Sequence, residues 1–244
     1  MRLDALLHER CGFESREKAK KAILDGRILV NGERIEKPSA PVEDSAHIEV
    51  IPTETTEYVS RGGIKLAAAL EAFGIGVKGF RAIDIGASTG GFTDCLLRRG
   101  ASRVYAVDVG HGQLHKSLAD DARVVNRENV NARYLTADAV DGEKVDIAVS
   151  DLSFISQKLV LPAVLNVLKD DGLYICLVKP QFEVGRSKIG KNGIVKDAKA
   201  REQAVEDVIA FAETLGFSCR GRMKSPITGG SGNTEYLAVF GLDV

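Results

Sequence analysis

The sequence predicts a two-part α/β chain: a small α+β unit, then a larger one with a mostly parallel seven-stranded sheet covered by helices on both faces. Three observations carry this. From Arg81 onward strand and helix patterns alternate, the order that yields a parallel sheet. Residues 81–92 read as a strand, a glycine loop and a helix start, a common nucleotide-site geometry. The first fifty residues read separately as helix, helix, strand, turn, strand. A chain of 244 residues has room for both units, at about 100–200 residues per domain.

In the small unit, Leu3, Leu6 and Leu7 mark one face of a first helix. Ser15 can cap a second, whose buried stripe is Ala19, Ala22, Ile23 and Leu24, ended by Asp25-Gly26. Ile28-Leu29-Val30 followed by Asn31-Gly32 predicts a strand and a tight turn. The polar run 53–58, without apolar periodicity, is the expected linker between residues 1–52 and 59–244.

In the larger unit a helix is expected over 64–73, with Leu66, Ala69, Leu70 and Phe73 inward and Gly74 as its stop. Strands are expected near 81–85, 103–108, 123–126, 145–150, 173–179, 217–224 and 235–241, and helices near 90–99, 112–119, 156–169 and 197–215. The last two strands are expected to pair as an antiparallel edge. The long loop Pro180 to Lys196 carries Arg186, Lys188, Lys191 and Lys196 among glycines, a composition suited to a flap that closes over a polyanion.

The glycine loop admits three ligands. A dinucleotide fingerprint requires G-x-G-x-x-G, whereas the spacing here is Gly86-x-x-x-Gly90-Gly91. A phosphate loop requires a Lys after the glycines, and none follows. The segment Asp84-x-Gly86-x-Ser88-x-Gly90-Gly91-Phe92 resembles the cofactor loop of S-adenosylmethionine-dependent methyltransferases. That resemblance implies that Asp84 and the loop amides hold the methionine end of the cofactor. Asp108, ending the apolar run Val104 to Val107, stands where a doubly wound sheet sets an acid against ribose hydroxyls. Asp138 is the expected adenine contact.

Composition limits the partners. Hydrophobic residues at 44% and charged residues at 27% are ordinary for a globular protein, and the net charge of −1 does not advertise a nucleic-acid binder, so any RNA contact needs clustered cations. No apolar run approaches the ~20 residues of a spanning helix, and the N-terminus lacks a signal-peptide pattern, so a cytoplasmic protein without membrane contact is expected. Four dispersed cysteines, with no C-x-x-C pair, predict reduced thiols and no metal site.

Arg2-Leu3-Asp4, Ser15-Arg16, Ala19, Gly26, Val30-Asn31-Gly32 and Lys37-Pro38-Ser39 resemble the S4-like RNA-binding domain. By that resemblance Arg2, Arg16, Lys20 and Lys21 face RNA phosphates; in the larger unit Arg61 and, from the basic loop, Arg186, Lys188 and Lys191 are the expected RNA contacts. Taken alone, the same cations alternate with acids, the pattern of a solvated face.

The segments Ser60-Arg61-Gly62-Gly63-Ile64-Lys65-Leu66, Asp151-Leu152-Ser153-Phe154, Lys179-Pro180-Gln181-Phe182-Glu183 and Asn233-Thr234-Glu235-Tyr236 complete a resemblance, over essentially the whole chain, to the TlyA family, also known as hemolysin A. The family joins an S4-like domain to an FtsJ-like, Rossmann-like class I methyltransferase domain and methylates the ribose 2′-hydroxyl of cytidine in ribosomal RNA. The resemblance implies a catalytic tetrad of Lys65, Asp151, Lys179 and Glu235, with Asp151 also near the sulfonium side of the cofactor. It further implies ribosomal RNA as partner, the large subunit favoured because the chain is of the short form.

The chemistry accounts for these residue types. Methyl transfer to an alcohol oxygen is an in-line displacement in which positioning supplies much of the rate. The hydroxyl must lose its proton, and a Lys can take it when desolvation or a neighbouring cation favours the neutral amine. Lys179 is the expected base, Lys65 the neighbouring cation, and Asp151 and Glu235 the orienting acids. Two rival expectations are an inactive RNA-binding assembly factor and a membrane-lytic protein; a third, a nicotinamide dehydrogenase, is weakened by the glycine spacing.

Overall fold

Leu3, Leu6 and Leu7 are all buried on the inner face of α1 (Leu3–Arg10), as their spacing requires. The computed structural model describes residues 1–13, 15–24, 26–50, 58–190, 193–230 and 232–242, and the chain divides into two units, Met1–Thr56 and Glu57–Val244. Most of the expected linker, and Asp25, lie outside the described residues.

In the first unit α1 and α2 (Arg16–Leu24) pack their apolar faces on β1 (Ile28–Val30), giving a core of Leu3, Leu7, Ala19, Ala22, Ile23 and Ile28. β1 joins β2 (Glu33–Arg34) through Asn31 and Gly32, both at positive φ, 51° and 85°. The sequence did not suggest β3 (Ile48–Val50), which pairs antiparallel with the other side of β1, because three residues give too short a pattern to read. Leu24 is 60% exposed rather than buried, since it lies one residue, about 100°, beyond Ile23 on the helix.

The second unit starts with α3 (Gly62–Ala72) and continues through β4 (Arg81–Ile85), α4 (Gly91–Arg98), β5 (Arg103–Val107), α5 (Lys116–Ala119), β6 (Val124–Arg127) and β7 (Val145–Ser150). It closes with α6 (Leu161–Val164), β8 (Leu168–Val178), α7 (Pro180–Glu183), α8 (Ala198–Thr214), β9 (Phe217–Lys224) and β10 (Tyr236–Leu242). The sheet order is β6-β5-β4-β7-β8-β10-β9. The first five strands are parallel; β10 runs antiparallel between β8 and β9, so the final strand is inserted rather than added at the edge. Residues alternate between two cores: Ile83, Tyr105 and Ala148 face one, Ala82, Val104, Ile147 and Val149 the other. Both faces are therefore covered, as continuous apolar runs in parallel strands demand.

Two helices are shorter than expected. Pro162 cannot continue a helix from Ser156, so a single 3₁₀ turn precedes α6, and Leu168 already belongs to β8. Over 112–119 only Lys116–Ala119 is helical, its first turn capped by the His115 ring accepting from the Ser117 amide.

Candidate active site

Strand order reverses between β4, which continues to β5, and β7, which continues to β8, and in open α/β sheets ligands bind at the carboxyl ends beside such a switch. The loop leaving β4 turns through Gly86, Ser88 and Gly90 at φ of 83°, 48° and 93°. A Cβ at Gly86 would lie 3.0 Å from the Asp151 carbonyl oxygen, and one at Gly91 would lie 2.2 Å from Ser60 Oγ. Glycine at these positions lets the loop press against the end of β7 and the start of α3. A cavity of about 180 Å³ opens there, lined by Ser60, Gly62, Asp84, Gly86, Ser88, Gly91, Phe92, Asp151, Ser153 and Lys179 among others. Gly90 stands behind that lining, against Leu114 and Leu118.

Asp84 is fully buried at this cavity. Its Oδ2 accepts from the Thr93 amide at 2.9 Å and the Thr93 hydroxyl at 2.7 Å, whereas its Oδ1 is buried with no partner. Burial pushes its carboxyl up to about 7, against the Thr93 hydrogen bonds, and Asp151 and Asp108 add to the rise. An orphaned carboxylate oxygen beside glycine amides suits a ligand carrying an ammonium group, such as the methionine end of S-adenosylmethionine.

The four tetrad residues converge from distant parts of the chain. Lys65 comes from α3, Asp151 and Lys179 from the ends of β7 and β8, and Glu235 from just before β10. The Lys65 ammonium donates to Glu235 Oε2 at 2.6 Å and lies 4.0 Å from Asp151 Oδ2, with both Lys65 and Glu235 buried. Lys179 Nζ forms an ion pair with Asp151 Oδ1 at 2.7 Å, but its hydrogen bond goes to Ser153 Oγ at 2.9 Å. Asp151 thus stands between the two lysines, and its charge offsets their mutual repulsion.

Other expected residues fall outside this cluster. Asp108, at the end of β5, spends both oxygens on backbone, accepting from Ser88 N at 2.8 Å and Gly110 N at 2.7 Å. Asp138 is exposed, off the cavity lining, and two residues from Val140, whose carbonyl accepts from Arg81 at the start of β4, the opposite edge of the sheet. Glu128, just past the end of β6, accepts from the Gly112 amide at 2.8 Å and lies nearer the carboxyl edge, where β5 and β6 end side by side. An acid after an apolar strand was its only sequence signal.

Among the expected RNA contacts, Arg2 and Arg16 in the first unit both bond the buried Asp4 while remaining about half exposed. The Arg2 hydrogen bonds hold the Asp4 carboxyl down at about 2, against burial and with help from Arg16. Lys20 lies 3.8 Å from Glu17. In the second unit Arg61, Arg186 and Lys188 are exposed. The Lys21 side chain and Lys191 lie outside the described residues. Sequence reading passed over Ser153 and the 91% exposed Phe154, whose ring centroid is 5.2 Å from that of Phe182 beside Lys179. No group of three or more metal-ligating side chains occurs among the described residues.

Residues 58–242 match the FtsJ-like methyltransferase family and residues 1–48 the S4 domain. The chain is 46% identical, over 97% of its length and 88% of the relative's, to the 16S/23S rRNA (cytidine-2′-O)-methyltransferase TlyA of Mycobacterium tuberculosis. It is 43% identical to Hemolysin A of Brachyspira hyodysenteriae, over 98% of this chain and 99% of that one. A solved Streptococcus thermophilus structure bearing a hemolysin name superposes with a TM-score of 0.79 at 45% identity, covering 99% of this chain and 88% of that chain. With both domains matched in order and relatives of this identity over nearly its full length, the chain belongs to the TlyA family of S4-domain, FtsJ-like methyltransferases.

Proposed function

We propose that this protein uses S-adenosylmethionine to methylate the ribose 2′-hydroxyl of cytidine in ribosomal RNA, with the S4 unit docking the RNA. The observation that carries the reading is the Lys65–Asp151–Lys179–Glu235 cluster, of which Asp151 and Lys179 line a cavity that also holds an orphaned carboxylate oxygen. When bound, the cofactor supplies an electrophilic methyl on a sulfonium. Asp84 and the amides of the loop through Gly86, Ser88, Gly90, Gly91 and Phe92 hold its amino-acid end, Asp108 its ribose, and Asp138 is retained as a weaker adenine contact beside the better placed Glu128.

Lys179, as the neutral amine, takes the 2′-hydroxyl proton as the oxygen attacks and becomes the ammonium that Asp151 and Ser153 hold. Its side chain lines the cavity. Lys65, anchored by Glu235, holds the ribose or its phosphate, and Asp151 orients both lysines and the hydroxyl. Arg2, Arg16, Lys20, Lys21, Arg61, Arg186, Lys188 and Lys191 hold RNA phosphates, as contacts that position rather than specify.

Residues 1–52 dock the RNA, 53–58 link the two domains and 59–244 carry out methyl transfer. The large-subunit RNA is the proposed target and the small-subunit RNA the alternative; a ribosomal substrate implies work in the cytoplasm. No described helix is long and apolar enough to cross a membrane.

The test is transfer of labelled methyl from S-adenosylmethionine to large and small subunits lacking the modification, with the product mapped by its block to alkaline cleavage. Incorporation at a ribose that disappears in Lys179→Ala supports the reading. Cofactor and subunit binding without incorporation would move the protein to the assembly-factor class.

A further inference from the structure

The loop between Asp151 and Gln157 is held by more hydrogen bonds than a surface turn needs, and one carboxylate outside the tetrad supplies two of them. We infer that Glu183 is a positioning residue for methyl transfer: it fixes the loop whose Ser153 holds the Lys179 ammonium. The inference rests on the reading of Lys179 as the base.

Glu183 ends α7, four residues after Lys179. Its Oε2 accepts from Ser156 Oγ at 2.5 Å and its Oε1 from the Gln157 amide at 2.7 Å. Both oxygens are therefore spent on the loop, and no ion pair to Glu183 occurs among the described residues. The far end of the loop is locked by the buried Gln157 side chain, which donates to the Leu177 carbonyl at 3.0 Å and accepts from the Tyr174 hydroxyl at 2.9 Å. The near end is tied where the Asp151 amide donates to the Ile85 carbonyl at 3.2 Å.

Between these ends Phe154 adopts φ 63°, a left-handed conformation costly for a bulky residue, and it persists only where the surroundings over-determine it. Burial of the Phe154 ring is not the cause, because the residue is 91% exposed. The ring contact with Phe182 and the bonds to Glu183 and Gln157 are what remain. Their product is a Ser153 hydroxyl 2.9 Å from Lys179 Nζ, so the segment after β8 presents the base and, through Glu183, also sets the group that aims it. A loop free to drift by an ångström would leave Lys179 with Asp151 as its only described partner, and a misplacement of that size can cost about 100-fold in rate.

Glu183→Gln, Ser156→Ala and the double variant are compared with wild type in the full chain. The readouts are kcat and KM on subunits lacking the modification, S-adenosylmethionine affinity by calorimetry, melting temperature, and hydrogen exchange over residues 152–157. The expected result for Glu183→Gln is a kcat lower by about 10- to 100-fold, with KM and cofactor affinity within about twofold of wild type and faster exchange confined to the loop. Ser156→Ala, which keeps the Gln157 bond, loses severalfold, and the double variant is no worse than Glu183→Gln because both act through one contact. An unchanged kcat, unchanged loop exchange, or a loss shared equally by KM and cofactor affinity overturns the inference. If Glu183→Gln fails to fold, Ser156→Ala carries the same test. A wild type that transfers no methyl sinks the functional reading and this inference with it, whereas an active wild type with an inert Glu183→Gln effect sinks the inference alone.

Discussion

Asp4 in the S4 unit and Asp84 in the methyltransferase unit are both buried carboxylates, and their surroundings push them in opposite directions. Asp4 meets two guanidinium groups and its carboxyl is held down at about 2; Asp84 meets one threonine, keeps an oxygen without a partner, and is pushed up to about 7. A satisfied buried charge organises its own neighbourhood, here by aiming two half-exposed arginines. An unsatisfied one is a place prepared for something cationic.

The largest expected effect tests what the unsatisfied acid serves. Lys179→Ala should lower methyl transfer by about 10²–10⁴-fold, the usual contribution of a general base, while cofactor affinity stays near wild type. Radiolabel transfer alongside calorimetry separates the two. Next, Asp84→Asn should weaken S-adenosylmethionine binding by about 100-fold, since it removes the carboxylate opposite an ammonium in a buried site. Free of cofactor the same variant should melt higher than wild type at pH 8, because it no longer buries an ionised group without a full set of partners. A lower melting temperature would mean that Asp84 is already satisfied.

The pH dependences sharpen the contrast because their signs differ. Asp84 holds its proton more tightly folded than unfolded, so its contribution to stability is fully present below about 4 and is lost as pH rises to about 7, at roughly 1.4 kcal/mol per pH unit within that window. Cofactor binding should run the other way, falling about tenfold per unit below pH 7 and levelling above it, with no slope in Asp84→Asn. Asp4 is depressed, so its contribution is present above about 4 and disappears as pH falls toward 2. Asp4→Asn should cost the S4 unit about 1.5–3 kcal/mol at pH 7, read from the melting of that unit, and much less near pH 2. The smallest effect belongs to Lys20→Ala, an exposed cation near Glu17: stability should change by less than about 0.5 kcal/mol, while the salt slope of RNA binding falls by about 1. An unchanged slope would remove Lys20 from the RNA face.

The four tetrad positions were legible because each sits in a short local motif, and the sheet then gathers them; Asp84 and its glycines were legible because a tight turn after a strand restricts the residue types. Glu183 and Ser153 lie in the same motifs, but their contacts were not legible, since each depends on a partner about 26 residues away across the β7–β8 ladder. The helix expected over 156–169 is cut short at Pro162, and β3, at three residues, is too short to carry a readable pattern of its own. Asp138 lies in a 3₁₀ turn, Ala137–Val140, whose last residue accepts from Arg81 at the start of β4, so the chain between β6 and β7 carries it away from the carboxyl edge.

The position of β10 between β8 and β9 sets when the four-residue cluster can first be complete. Lys65 and Glu235 are 170 residues apart in sequence, and the acid is brought to Lys65 by the strand that pairs with β8 and in turn carries β9. A chain synthesised from its amino end can form α3 and the β4–β7 ladder early, but Lys65 then waits without its acid until that strand emerges. The nascent protein, still attached to a ribosome, therefore lacks the Lys65–Glu235 pair until translation of the site is nearly over, and a chain cut short before Glu235 leaves the buried Lys65 ammonium without its hydrogen-bonded acid.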